Sequence, residues 1–369
     1  MKLLVQPGDG VGPLVKAIER AKKSIQIVIF RFDRMELEKA LEDAVKRGVA
    51  VDALIAFTNR GGEKNLRKLE LRFLDRGVTV ARTADDLVRY HGKMMIIDRK
   101  ELHLLAFNFT QIDTERSRSF GLITQDKEIV REAIELFEAD SKRRPYKAGS
   151  SRFLVSPLNA RKELAEFIRN AKKELLIYDV KITDRSMLKL LEEAAKNGIE
   201  IRVIGKMARH SSQIAIRSVS NLRLHTRTMI RDGKDVFIGS QSLRELELDS
   251  RREIGIVFRD AEIAERLTKV FEADWKGGTV SPDDADDVEK PVAAKVAKKV
   301  AKSLVKILPP VAPVVEEVAK EVFPNGKNGL NVDHDEIEET VKIAVKQAVK
   351  QAVREVVEDV AEQQREPEA

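Results

Sequence analysis

His91-Gly92-Lys93-Met94-Met95-Ile96-Ile97-Asp98 returns later in the chain as His225-Thr226-Arg227-Thr228-Met229-Ile230-Arg231-Asp232. Both stretches read H-x-(K/R)-x4-D, and the offset of 134 holds beyond them. Gly121 falls on Gly255, and Phe137-Glu138-Ala139-Asp140 falls on Phe271-Glu272-Ala273-Asp274. Upstream, an offset of 150 sets Leu4-Val5-Gln6-Pro7 over Leu154-Val155-Ser156-Pro157, Ile18 over Ile168 and Gly48 over Gly198. Self-similarity of this length is a duplication. The change of offset gives the first copy a longer middle, around residues 59–74.

Each copy alternates helical and extended patterns. Leu14, Ala17, Ile18 and Ala21 recur at helical spacing, and the apolar run SIQIVIF at 24–30 follows as a buried strand. A second helix over 36–46 ends at Gly48, which suits a left-handed cap, and VAVDALIAF at 49–57 is the next strand. The second copy repeats the series with ELLIYDV at 174–180, a helix over 186–196, Gly198 and IEIRVIG at 199–205. Strand, helix, strand with apolar, β-branched strands predicts an α/β fold of two pseudo-symmetric sheet-and-helix halves. We set the halves at 1–148 and 149–276, followed by a polar linker at 277–289 and an amphipathic helical tail at 290–369.

The chain has 369 residues and a formal net charge of +6. Acidic residues outnumber basic ones from Leu308 onward, so the remainder is more basic than the total suggests. A basic body favours phosphate-bearing partners. The absence of cysteine excludes disulfides, thiolate nucleophiles and zinc–thiolate or iron–sulfur sites. The start, MKLLVQPGDG, lacks the apolar core of a signal peptide, and no apolar run reaches membrane-spanning length. A soluble, cytoplasmic protein, peripheral at a membrane at most, is expected.

Only five histidines occur, and two of them, His91 and His225, occupy equivalent repeat positions. Residues i and i+2 of a strand share a face, so an imidazole stands beside Lys93 in one copy and Arg227 in the other. That pairing suits a phosphodiester: the cation holds non-bridging oxygens while the imidazole attacks or moves protons. One histidine alone leaves the departing alkoxide unprotonated; two supply a nucleophile and an acid. The odd separation of Asp98 and Asp232 from their histidines puts them on the opposite face, a structural position. His103, His210 and His334 have no repeat partner and are read as surface or structural, and the Gly10 and Gly12 region as a loop before a helix.

The duplicated H-x-K-x4-D motif resembles the signature of the phospholipase D superfamily, and the resemblance spans residues 2–275. It implies a site shared between the halves, where one histidine forms a phosphohistidine and the other protonates the leaving group and activates the acceptor. It implies neither a metal nor another cofactor. The family's phosphate-binding asparagine, seventeen residues after each histidine, corresponds to Asn108 and Ser242, and its Gly-Ser turn to Gly239-Ser240. The family carboxylate that orients a histidine corresponds to Glu253; its first-copy counterpart is Ser119. Arg227 departs from the family lysine, with a larger, forked guanidinium.

The resemblance leaves three substrate readings open. The first is a phospholipid phosphodiesterase or phosphatidyl transferase, the second a nuclease, and the third a degenerate phosphate-binding scaffold. The lysine-rich stretch 290–308 favours the first, as a helix for peripheral membrane contact. Nucleic acid is favoured by the arginines near the motifs but opposed by an aromatic content of 5%, which offers few stacking platforms. The segment 335–362, with Ala/Val pairs, is assigned to self-association or docking.

Overall fold

The computed structural model describes residues 1–58, 64–209 and 211–280. The tail segments 290–308 and 335–362, most of the 277–289 linker, His210 and His334 lie outside the described residues. The duplicated body is one compact unit.

Two sheets carry the fold. The first runs Lys2–Gln6, Ser117–Thr124, Glu101–Leu105, Met94–Ile97, Ser24–Ile29, Ala50–Ile55, Thr79–Arg82. Its last three strands are parallel and the rest antiparallel. The second repeats this order from Phe153–Val155 through Ile254–Arg259, Asp235–Gly239, Arg227–Arg231, Glu174–Ile182 and Glu200–Met207 to Ile214–Ser218, with Thr279–Val280 added at the edge. The second sheet therefore reaches Val280, a few residues into the stretch read as linker. The long middle of the first half is a helix, Lys64–Asp75, which buries Leu66, Leu69 and Phe73 against the sheet.

Alternation within the strands explains the layering. Ile25, Ile27 and Ile29 face an outer cluster with Leu14, Ile18, Leu37 and Leu41 of the covering helices. Val28 faces the other way, into a central cluster that also takes Phe120 and Leu122 from the first sheet and Leu176, Tyr178 and Ile256 from the second. Phe137 and Phe271, from the helices Lys127–Ser141 and Ala261–Gly277, complete it. Each such side chain contributes about 1.5–3 kcal/mol on burial, so the interface between the halves is a core in its own right.

The helix ends follow the sequence. Asp184 caps Arg185–Lys196 by accepting from the Met187 amide at 3.0 Å. Gly48 and Gly198 follow their helices at φ of 83° and 86°, the conformation that glycine adopts without a steric cost.

The halves also exchange backbone. Arg89–Tyr90 pairs in parallel with Arg251–Arg252, and Arg223–Leu224 pairs with Ser117 and Arg118. Each exchange ends at a motif histidine: the His91 amide donates to the Arg252 carbonyl at 2.7 Å, and the His225 amide to the Arg118 carbonyl at 3.0 Å. The arginine side chains extend the swap. Arg118 grips Asp274 with two bonds of 2.7 and 3.0 Å, and its repeat equivalent Arg252 bonds Asp140 at 3.1 Å. The duplicated Phe-Glu-Ala-Asp ends in these aspartates.

Candidate active site

His91, Gly92 and Lys93 lie between the strands Arg89–Tyr90 and Met94–Ile97, and His225 and Thr226 immediately precede Arg227–Arg231. The shared-strand-face expectation is thus replaced by anchoring at both sides of a short connector. At Gly92 a β-carbon would approach Ile254 Cδ1 to 2.4 Å, so any larger residue there would have to displace that side chain of the other half. Lys93 Nζ nevertheless rests against its imidazole, 3.1 Å from Nδ1 and 3.2 Å from Nε2.

His91 Nδ1 is 2.8 Å from Glu253 Oε2, a carboxylate of the opposite half that is fully buried. The edge of the ring meets Phe30 with centroids 4.5 Å apart. His225 is less tightly held: its Nδ1 lies 3.2 Å from Asp113 Oδ2, within ion-pair range but not aligned as a hydrogen bond. Asp113 in turn accepts from the Asn108 amide at 2.8 Å and Asn108 Nδ2 at 2.7 Å, and pairs with Arg223. The carboxylate missing at Ser119 is therefore supplied from six residues upstream. Ser119 itself donates its hydroxyl to the His225 carbonyl at 2.9 Å.

Arg227 occupies the position of Lys93 in the second half. Its Nε donates to Ser242 Oγ at 3.1 Å, and the Ser242 hydroxyl donates in turn to Asp179 Oδ1 at 2.7 Å. Glu247 stands 3.6 Å from the Arg227 guanidinium and accepts from the Ser242 amide at 2.8 Å. Among the described residues, Arg227 Nη1 is buried without a hydrogen-bond partner. A buried donor left in this state calls for an acceptor, and a phosphate oxygen is a fitting one. Ser240 plays a different part from Ser242, bonding the Ile254 carbonyl at 3.3 Å and amide at 3.0 Å.

The electrostatics join the motifs into one site. Burial, then Lys93 and Arg227, hold His91 well below the usual imidazole range. Burial, Arg227, Lys93, Arg223 and His91 do the same for His225. Burial also lowers Lys93 to about 7, with Arg227 adding to it against the pull of Glu253 and Asp113. Both imidazoles are thus neutral at neutral pH, the form that can attack or accept a proton.

Asp98 and Asp232 lie beyond the strands rather than on their reverse faces, at φ of 52° and 53°. Each gathers three backbone amides: Lys22, Lys23 and Ser24 for Asp98, and Lys172, Lys173 and Glu174 for Asp232. They fasten the start of the central parallel strand. His103 is buried and bonds Glu101 at 2.7 Å. Sequence reading missed Asp113, Glu247 and Asp179. The first two sit five residues after Asn108 and Ser242, and their shared offset was a usable signal; a lone aspartate in the apolar run ELLIYDV was another.

Comparison with known proteins places the fold and the family. A family model described as "Cardiolipin synthase, PLD-like domain" matches residues 14–141 and 164–275. The polyphosphate kinase of Vibrio vulnificus (strain YJ016) is 28% identical over 277 residues, covering 67% of this chain and 39% of that protein. The mitochondrial cardiolipin hydrolase of Canis lupus familiaris is 28% identical over 125 residues, covering 34% of this chain and 48% of its own. This chain therefore spans less than half the length of either relative. Among solved structures, polyphosphate kinase from Porphyromonas gingivalis superposes with a TM-score of 0.64 at 20% identity, over 74% of this chain and 47% of that one. Phosphatidylserine synthase from Haemophilus influenzae Rd KW20 gives 0.57 at 10% identity, over 75% and 87%. At these identities the structures speak for the fold, and the family model, which covers both halves and both motifs, places this chain in the phospholipase D superfamily.

Proposed function

We propose that the chain is a metal-independent phosphodiesterase or phosphatidyl transferase in which His91 attacks phosphorus and His225 moves the proton. The observation that carries the reading is the buried quartet of His91, Lys93, His225 and Arg227, each histidine at a carboxylate and Arg227 with an unmatched donor. The 2.8 Å bond to Glu253 engages His91 Nδ1, so Nε2, which Lys93 Nζ faces at 3.2 Å, is the nitrogen that attacks phosphorus once Lys93 turns to the phosphate oxygens. As the P–N bond forms, the bond to the leaving oxygen breaks, and that oxygen takes a proton from His225. The free site keeps His225 neutral, but an incoming phosphate anion adds the negative charge that favours its protonation. In the second step water or an alcohol gives its proton to His225 and attacks phosphorus, and the P–N electron pair returns to His91. Lys93 and Arg227 hold the non-bridging oxygens throughout.

A lipid substrate is supported by aliphatic side chains on segments beside the site. Ile112 and Leu246, at the same repeat position, are 48% and 44% exposed on the short helices that carry Asp113 and Glu247. Val88, 58% exposed, bonds through its amide to Ser250 at 3.0 Å, just past the second of these helices. Such residues suit acyl chains next to a phosphate site. The lysine-rich stretch 290–308 belongs to this reading as a contact to anionic membrane, and 335–362 as a self-association segment. No helix among the described residues is long and apolar enough to cross a membrane.

The test is a screen of the purified chain, in excess EDTA, against anionic phospholipid vesicles, DNA, RNA, and polyphosphate with a nucleoside diphosphate. Turnover of phospholipid in EDTA is the expected result. Turnover confined to nucleic acid or to polyphosphate would move the substrate assignment, and activity restored only by a divalent ion would end the mechanism.

The pH profile follows from the same site. His91 must be neutral to attack, and its lowered pKa keeps it so below the ordinary imidazole range. Lys93 binds phosphate in its charged form, which is lost as pH rises through about 7. kcat/KM should therefore peak on the acid side of neutrality and fall by about tenfold per pH unit beyond the alkaline limb. Lys93→Arg, whose guanidinium stays protonated, should push that limb upward. A profile that is flat through about pH 9 in the unmodified protein rules out Lys93 as the titrating cation.

A further inference from the structure

We infer that Asp113 is the positioning residue of His225, fixing the tautomer in which Nδ1 carries the proton and Nε2 is left for the substrate. The inference rests on the reading of His225 as the proton-moving group, and goes beyond it to the origin of that competence.

The pseudo-symmetry poses the problem. Glu253 holds His91 by its Nδ1, but the equivalent position in the first half is Ser119, and its hydroxyl is spent on the His225 carbonyl. A serine there fixes the backbone and cannot orient the ring. Asp113 is the carboxylate that meets the ring instead, 3.2 Å from Nδ1 and 1% exposed. It is itself held by the Asn108 amide, Asn108 Nδ2 and Arg223, whose guanidinium also bonds Ser117 at 2.9 Å.

Bracing the loop does not account for this placement. Glu247, at the repeat position of Asp113, braces its own loop in the same way, through the Ser242 amide at 2.8 Å. Its remaining capacity goes to arginines: Arg244 and Arg251 at 3.2 Å and Arg227 at 3.6 Å. The loop-bracing role is common to both halves, and the second role has diverged, serving a histidine in one and a phosphate-binding cation in the other. His225 is otherwise surrounded by positive groups, with Arg227 two residues on, Arg223 two residues before and Lys93 from the opposite half, besides the neighbouring His91. Asp113 is the carboxylate that offsets them at the ring. The contact is longer than the 2.8 Å one at His91.

The experiment is a two-bond 1H–15N spectrum of the histidine rings in the full-length protein, with His225→Gln assigning the signal. His225 is expected as the Nδ1–H tautomer at neutral pH. In Asp113→Ala the carboxylate at the ring is gone, and the Nδ1–H form loses the acceptor that favours it. The signal should then shift to the Nε2–H form. On bis(p-nitrophenyl) phosphate the same variant should lose roughly 100-fold or more in kcat with KM within about threefold, as wrong-tautomer variants of histidine–carboxylate pairs do. Glu247→Gln should act mainly on KM, through Arg227.

An Nε2–H tautomer in the unmodified protein overturns the inference, and so does an Asp113→Ala spectrum unchanged from it. Because the spectrum needs no turnover, it decides the role of Asp113 even if the protein hydrolyses no diester, and the unmodified protein alone suffices should the variant fail to fold.

Discussion

Bis(p-nitrophenyl) phosphate should separate the two histidines by the way each variant fails. His91→Asn is expected to lower turnover by about 10⁴-fold or more, with no burst of nitrophenolate, because no nucleophile remains to form the phosphoenzyme. His225→Asn should fail later. Nitrophenolate is a good leaving group that departs without a proton, so His91 can still attack and release one equivalent per active site. The phosphohistidine then stalls for want of a base to activate water. A stoichiometric burst followed by arrest, with acid-labile phosphate retained on the protein, is the expected signature. A burst in His91→Asn and none in His225→Asn would exchange the two roles and assign the tighter carboxylate contact, Glu253 at 2.8 Å, to the acid instead.

How much of this was legible in the chain differs between backbone and site. The duplication, the α/β pattern and the capping glycines Gly48 and Gly198 follow from local rules of period and conformation, and these elements stand within a residue or two of their expected bounds. The motif histidines were legible because two offsets brought them into register. The partners were harder. Glu253 reaches His91 from 162 residues away, and only the family resemblance pointed to it. Asp113 escaped because the search for a carboxylate was fixed on the position of Ser119, while the compensating side chain sits six residues earlier, on the short helix before that strand. Asp98 and Asp232 show a related error. Parity along a strand gave them a structural role, but the chain leaves the strand before reaching them, and they act by collecting amides in a left-handed turn. Periodicity reads regular segments well; functional groups here sit where the regular segments end.

The swapped arginine–aspartate pairs predict the largest effect on stability. Arg118 and Asp274 come from opposite halves, are 14% and 9% exposed, and share two bonds, while Asp274 also accepts from the Tyr178 hydroxyl at 2.7 Å. Removing one member of such a pair strands a buried charge, a loss of about 3–5 kcal/mol. Asp274→Ala should therefore lower the urea midpoint sharply, and Arg118→Met/Asp274→Ala should recover part of the loss, because the uncompensated guanidinium is gone. The mirror pair behaves differently. Burial raises Asp140 from its ordinary 3.8 to about 6, outweighing Arg252, so its charged form is the disfavoured one. A raised carboxylate pKa gives stability at low pH that is lost as pH climbs from about 4 through about 6. Asp140→Asn, which cannot ionise, should flatten that part of the stability profile and cost less at neutral pH than Asp274→Ala. Because the Arg118 carbonyl also holds the His225 amide at 3.0 Å, loosening this pair should reach the site itself. In urea too dilute to unfold the chain, turnover by Asp274→Ala should fall before its secondary structure does. Loss of the two together would separate the half-to-half clamp from the alignment of the histidines.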